Sequence, residues 1–369
     1  MIGLSKDYFI IPIFVPHLGC PHDCVFCNQK RITGLSTDVT PEDVERIIEE
    51  HLSTFPHRDI SIEVAFYGGS FTGIQKDIQR KLLAIPLKYK NQGRIKGIRL
   101  STRPDYIDKE TLNLLKEYKV DTIELGVQSL NDEVLNKSGR GHSSRQVYIA
   151  SNLIKEYGFN LGLQMMIGLV GDDREKSIFT AKELISLNPY CVRIYPTLVI
   201  KDTYLEKMYI DKKYNPLSLK EAVDITTDLL MLFEYYDIDV IRVGLQPTDN
   251  IRLGKDVIAG PFHPSFRQLV ESNIYKIILD DYINDYDKSI IQGKTITIEA
   301  NGKCISNIAG QKSSNKNYLT QKYRFKKIKI YEKDIPMGII NIYMDNIFDT
   351  IDRKEMIGKY LKDKAIIRV

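Results

Sequence analysis

The sequence predicts an α/β fold: a partial parallel (β/α)6-type barrel, an incomplete version of the eight-stranded TIM barrel, followed by a small C-terminal α+β domain. Three observations carry this. From Phe9 to about Ile200, short apolar runs alternate with amphipathic stretches, the pattern of repeated βα units. The apolar runs are nearly continuous, as in strands that helices cover on the outside of a parallel sheet. Beyond residue 200 the alternation ends and a chemically different tail begins. A chain of 369 residues, 43% hydrophobic and 27% charged, has the size to bury one large core and a smaller one. The expected division is 1–286 for the barrel with its extension and 287–369 for the small domain.

The strand candidates in chain order are FIIPIFVP, ISIEVAFYG, KGIRLSTR, TIELGVQS, LGLQMMIGL and CVRIYPTLVI. Helices are expected near 41–54, 75–89, 108–118, 143–157 and 173–187. Thr40 before Pro41 reads as an N-cap with proline at the first helical position, and Asp108 opens the third helix with Glu110 in its first turn. After residue 200 come a helix over 219–236, a seventh strand in DVIRVGLQP, and a long helix from GPFHPSFRQLVES to about Asp285. The tail reads as strand, glycine-rich turn, helix, strand, with a last strand near Ala365 to Val369.

The longest apolar stretch near the start, Phe9 to Val15, falls far short of the ~18 residues of a membrane span. No cleaved leader is expected, because a cysteine cluster follows at once. Five cysteines, three of them within eight positions, suit a reducing cytoplasm better than a disulfide framework. Cys191 and Cys304 lie in apolar runs and read as small buried residues. The net charge of +4 hides an asymmetry, because residues 287–369 carry 17 Lys/Arg against 9 Asp/Glu and the remainder carries 35 against 39. A basic appendage of this kind suits RNA binding, and ordinary solvated lysines explain it as well.

The chemistry concentrates in HLGCPHDCVFCNQ, where Cys20, Cys24 and Cys27 form CxxxCxxC directly after the first strand. Three soft thiolates suit three irons of a 4Fe-4S cubane and leave the fourth iron open to a chelating ligand. A zinc site is the other reading of this spacing, with His17 or His22 as the fourth ligand. Polar residues fall at or just after strand ends, where such barrels gather their chemistry. Gln164 stands within the apolar run LGLQMMIGL, a costly place for an amide without a partner, and so is expected to face the lumen.

The cysteine loop resembles that of the radical S-adenosylmethionine (SAM) superfamily. Over residues 9 to about 270 the chain is similar, more narrowly, to the radical SAM domain of Elongator catalytic subunits and their short bacterial relatives. The matching pieces are YGGSFTG, STRPDY, ELGVQS with RGH shortly after, and RIYPTLVIKDT. Oxygen-independent coproporphyrinogen oxidase shares a more distant version. The resemblance implies a 4Fe-4S cluster on Cys20, Cys24 and Cys27, SAM as cofactor, and an electron donor such as flavodoxin or ferredoxin. It also implies SAM contacts from Phe26 near adenine, from Gly68 and Gly69 at the amino group, from Arg140 at the carboxylate, and from Ser101, Gln128 and Gln164. It points to tRNA or RNA modification, with oxidation of a small molecule or a non-catalytic iron-sulfur module as the alternatives. Two departures stand out: MIGLVGDD replaces the proline-rich turn after strand five, and a basic tail stands where Elongator subunits have an acetyltransferase domain.

Overall fold

The computed structural model describes residues 8–15, 24–28, 39–56, 60–245 and 251–368. The chain divides into two compact units, Met1–Leu219 with Ile238–Phe262, and Lys220–Asp237 with His263–Val369.

In the first unit, β1 (Tyr8–Val15), α1 (Pro41–Thr54), β2 (Ser61–Gly68), α2 (Lys76–Asn91), β3 (Gly97–Thr102), α3 (Lys109–Glu117) and β4 (Thr122–Gln128) follow the expected alternation. Next come α4 (Asp132–Lys137), α5 (Ser144–Glu156), β5 (Asn160–Ile167), α6 (Arg174–Ser186) and β6 (Cys191–Pro196). β7 (Val199–Ile200) and α7 (Tyr204–Ile210) lead on to β8 (Val240–Val243) and β9 (Val257–Ala259). Seven parallel strands pair in the order β1-β2-β3-β4-β5-β6-β8 and form a curled half-barrel, the incomplete barrel the alternation predicts. The apolar run CVRIYPTLVI is two strands: its last two residues leave the sheet and pair antiparallel with β9. Both expected caps are present. Thr40 accepts from the Asp43 amide at 3.2 Å in a capping box, and Asp108 accepts from Thr111 at 2.7 Å.

The second unit comprises most of α8 (Leu219–Tyr235), with α9 (Phe266–Asn284), α10 (Lys288–Ile291), β10 (Thr295–Ala300), α11 (Ile305–Ala309), α12 (Ser314–Tyr323), β11 (Lys327–Glu332), β12 (Ile339–Met344), β13 (Ile347–Asp352) and α13 (Arg353–Asp363). Its sheet runs β11-β10-β12-β13, parallel between β10 and β11 and antiparallel elsewhere. The expected boundary at 286 falls inside this unit. α13 holds α8 and α9 to the tail: Arg353 pairs with Glu234 and Glu271, and Tyr360 donates to Asp228 at 2.9 Å. The strand expected at the C-terminus is not one over the described residues. Ala365 turns the chain at a φ of 53°, and Ile366 and Ile367 fold back with their amides on the Leu361 carbonyl. The closing strands are instead the hairpin β12–β13, whose apolar residues Ile340, Ile342 and Ile351 are buried.

No helix among the described residues is long and apolar enough to cross a membrane.

Candidate functional site

Cys20, with His17 and His22, lies outside the described residues. Cys24 and Cys27 share one tight turn, closed by the Cys27 amide on the Cys24 carbonyl at 3.0 Å. Two backbone bonds hold that turn: Val25 donates to the Ser138 carbonyl at 3.1 Å, and the Leu205 amide donates to the Val25 carbonyl at 2.7 Å. The first tie brings the GRGHS segment to the cysteines, and Arg140 Nη1 lies 3.4 Å from Cys24 Sγ. Phe26 packs on the cluster of Val199, Leu205 and Tyr214.

Gly68 ends β2 at a φ of 101°, which a side chain tolerates poorly, and the Gly69 amide donates to the Val15 carbonyl at 3.1 Å. The glycine pair is thereby fixed beside the exit of β1 toward the cysteines. Thr72 links this loop to the next strand end, through the Thr102 hydroxyl at 2.5 Å and the Tyr106 carbonyl at 3.0 Å.

At the end of β4 the backbone departs from a regular strand. Gln128 has a φ of 70°, and the pairing with β5 shifts between Gly126 and Gln128. A Cβ on Gly126 would meet Arg140 Nη2 at 2.7 Å and Gln128 Nε2 at 3.1 Å, so this glycine makes the room both side chains occupy. Arg140 donates to the Gly126 carbonyl. His142 Nε2 lies 3.2 Å from the Val127 carbonyl, and burial, then Arg140 and Arg103, push its pKa down to about 3, so the ring is neutral and Nε2 is the donor.

Deeper in the lumen, strand register decides the neighbours. Ser101 pairs with Glu124 across β3 and β4, and Gln164 with Arg193 across β5 and β6. The fully buried Glu124 accepts from Arg193 Nε at 2.6 Å and Nη2 at 2.9 Å, from Arg99 Nη1 at 2.9 Å and from Gln164 Nε2 at 2.8 Å. Arg99 also pairs with Glu63 at 2.9 Å, and Arg193 donates to the Tyr67 hydroxyl. Burial alone would raise the Glu124 carboxyl, but Arg193 and Arg99 outweigh it and bring its pKa down to about 2. Gly162 accommodates this side chain, since a Cβ there would lie 2.7 Å from Glu124 Cγ.

The expected site residues Gly68, Gly69, Ser101, Gln128 and Gln164 thus lie on or just after strands of one half-barrel and Arg140 follows α4, whereas Phe26 sits in a neighbouring apolar cluster. The radical SAM superfamily profile matches residues 14–181, and the Radical_SAM C-terminal domain matches residues 189–276. The chain belongs to the radical SAM superfamily. It is 28% identical over 236 residues to an uncharacterized protein of Methanocaldococcus jannaschii, covering 61% of this chain and 72% of that one. It is 26% identical over 258 residues to the tRNA uridine(34) acetyltransferase of Methanocaldococcus infernus, covering 58% of this chain. It spans about half, 48%, of that acetyltransferase. The archaeal Elp3 structure from the same organism, lacking its N-terminal 46 residues, superposes with a TM-score of 0.57 at 19% identity, over 95% of this chain and 76% of that one, and shares the fold.

As a radical SAM enzyme the protein uses a 4Fe-4S cluster and SAM, and the site chemistry fits both. The Arg140 guanidinium beside Cys24 would offset the negative charge of a thiolate-bound cluster. Around them Gln128 Oε1, Arg140 Nε and His142 Nδ1 are buried without a hydrogen-bond partner among the described residues, polar atoms of the kind a polar ligand satisfies. Arg99, Glu124, Arg193 and the glycines Gly126 and Gly162 were not singled out from sequence. Their signal was available: ionisable or glycine residues inside apolar strands have to be paired or to make room.

Proposed function

We propose that Cys20, Cys24 and Cys27 hold the 4Fe-4S cluster and that SAM binds across the ends of β2 to β5, for reductive cleavage and modification of tRNA. The observation that carries this reading is the approach of Arg140 to Cys24, with buried polar atoms of Gln128, Arg140 and His142 that have no partner among the described residues. When bound and reduced, the cluster would supply one electron for cleavage of a sulfur–carbon bond of SAM. The chain's own residues bind and orient. Gly68 and Gly69 offer carbonyls to the ammonium, Arg140 pairs with the carboxylate, and Ser101, Gln128 and Gln164 take the remaining polar groups. Flavodoxin or ferredoxin in the cytoplasm would supply the electron.

The RNA part of the proposal rests on the basic segment 287–369 and on the tRNA-modifying relatives. Among its cations, Lys322 is held by Asp280 at 2.8 Å and Lys333 by Glu299 at 2.6 Å. Lys312 precedes α12 in a left-handed conformation and does not share a helix face with Lys316. Lys312, Arg324, Lys326 and Lys327 are exposed with no acidic partner among the described residues, and they are the cations offered to phosphate.

The test is anaerobic incubation of reconstituted protein with SAM and dithionite. Release of 5′-deoxyadenosine is expected, and its absence at full cluster content rejects the enzymatic reading. In a parallel titration with tRNA, Lys326→Glu with Lys327→Glu should weaken binding and flatten its salt dependence by a log–log slope of about 2. An unchanged slope rejects the RNA assignment of this segment.

A further inference from the structure

Gln164 donates both of its N–H bonds within the protein, one to Glu124 Oε2 at 2.8 Å and one to Ser101 Oγ at 3.0 Å. The two ends of an amide look alike in shape, so the partners decide which way round it sits. Here the decision is unambiguous. Glu124 lies between Arg99 and Arg193 and is ionised, and a carboxylate only accepts; the end of Gln164 that faces it has to be the NH2. Ser101 in turn spends an acceptor site on Gln164, which leaves its O–H to donate.

We infer that Glu124 is a positioning residue that locks the Gln164 amide so that Gln164 and Ser101 present one acceptor and one donor to the ligand. The chemical class that matches is a pair of neighbouring hydroxyls, one donating and one accepting; a carboxylate, which cannot donate, is excluded from Gln164. Resting on the SAM-site reading above, this assigns the pair to the ribose diol, and it gives the charged cluster below a role in specificity as well as in packing. Glu124 itself has no capacity left for the ligand, since four N–H groups already converge on it.

The test is equilibrium binding of SAM and its 2′-deoxy and 3′-deoxy analogues to cluster-loaded protein, for wild type, Glu124→Gln, Gln164→Met and the double variant. Wild type should prefer SAM over at least one deoxy analogue by about tenfold, the worth of a well-made hydrogen bond. Gln164→Met should abolish that preference, and Glu124→Gln, whose amide lets Gln164 turn over, should reduce it. In the Gln164→Met background Glu124→Gln should cost no further affinity. A further loss of affinity there, or an unchanged preference in Gln164→Met, overturns the inference. If Glu124→Gln does not fold, Ser101→Ala replaces it. Ser101→Ala should lose discrimination against one deoxy analogue only, and equal losses for SAM and both analogues overturn the inference. Wild-type protein that carries its cluster but does not bind SAM overturns the underlying site reading as well.

Discussion

Each unit buries a cluster of charges, and the two are built in opposite senses. In the half-barrel one carboxylate, Glu124, lies between Arg99 and Arg193. In the C-terminal unit one guanidinium, Arg353, lies between Glu234 at 2.8 Å and Glu271 at 2.9 Å, with the Tyr275 ring 4.8 Å beneath it. The Arg353 cluster is closed: its partners come from α8 and α9, and it fastens those helices to α13. The lumen cluster is open at one end: it fixes Gln164, whose strand partner Gly126 accepts from Arg140, and buried atoms of Gln128 and Arg140 have no partner among the described residues. A completed ion cluster serves packing, whereas a polar cluster that stops short of completion leaves room for a ligand.

The hardest test of that contrast is removal of the cofactor. Cys24→Ala or Cys27→Ala should abolish the bound iron, about four per chain, as read by iron analysis and visible absorbance. Cys191→Ala and Cys304→Ala should keep it. Cys191 belongs to the lumen ion cluster, 3.5 Å from Arg99, its thiol pushed up to about 11 by burial, and Cys304 is buried in the other unit. Iron loss from either of these two would break the comparison.

Next in size is Arg353→Met. It leaves two carboxylates facing each other in the interior, and urea denaturation should show a loss of about 3–5 kcal/mol. Arg140→Gln sharpens the opposite case. Its hydrogen bond to the Gly126 carbonyl puts the stability loss near 1 kcal/mol, while SAM affinity should fall about tenfold or more. A large drop in melting temperature with SAM affinity unchanged would make Arg140 another closed structural cation.

The smallest effect is on pH dependence. His142 has a folded pKa of about 3, below the ordinary value near 6.5, so between these limits the unfolded chain binds the proton and the folded one does not. Stability is then fully present above about 6.5 and falls as pH drops toward 3. Asp172, raised by burial to about 6, acts in the opposite direction, losing stability as pH rises through its window. Comparing wild type with His142→Gln cancels that contribution. The variant should lose less stability than wild type between pH 6.5 and 4.5, and parallel curves would show that His142 already accepts a proton in the fold.

Much of this was legible in the chain. The alternation of apolar runs with amphipathic stretches marked six of the seven barrel strands, and the apolar run in DVIRVGLQP marked the seventh, because burial on both faces leaves a strand little freedom of composition. Thr40 and Asp108 marked helix starts, because orphan amides need an acceptor close in sequence. The domain boundary was less legible. The helices 219–235 and 266–284 look like any others, and it is partners distant in sequence, among them Arg353, Tyr360 and Lys322, that assign them to the C-terminal unit.

The sequence by itself determined the strand and helix alternation, the CxxxCxxC loop and the set of polar residues on and beyond the strands, since each is written in local order and spacing. Tertiary structure decided what those residues do to one another. Parallel pairing in one register sets Ser101 against Glu124 and Gln164 against Arg193, and a one-residue slip would turn either side chain to the opposite face. A turn held by Ser138 brings Arg140 to Cys24 across 116 positions, a proximity with no local signal because it depends on where two distant loops end.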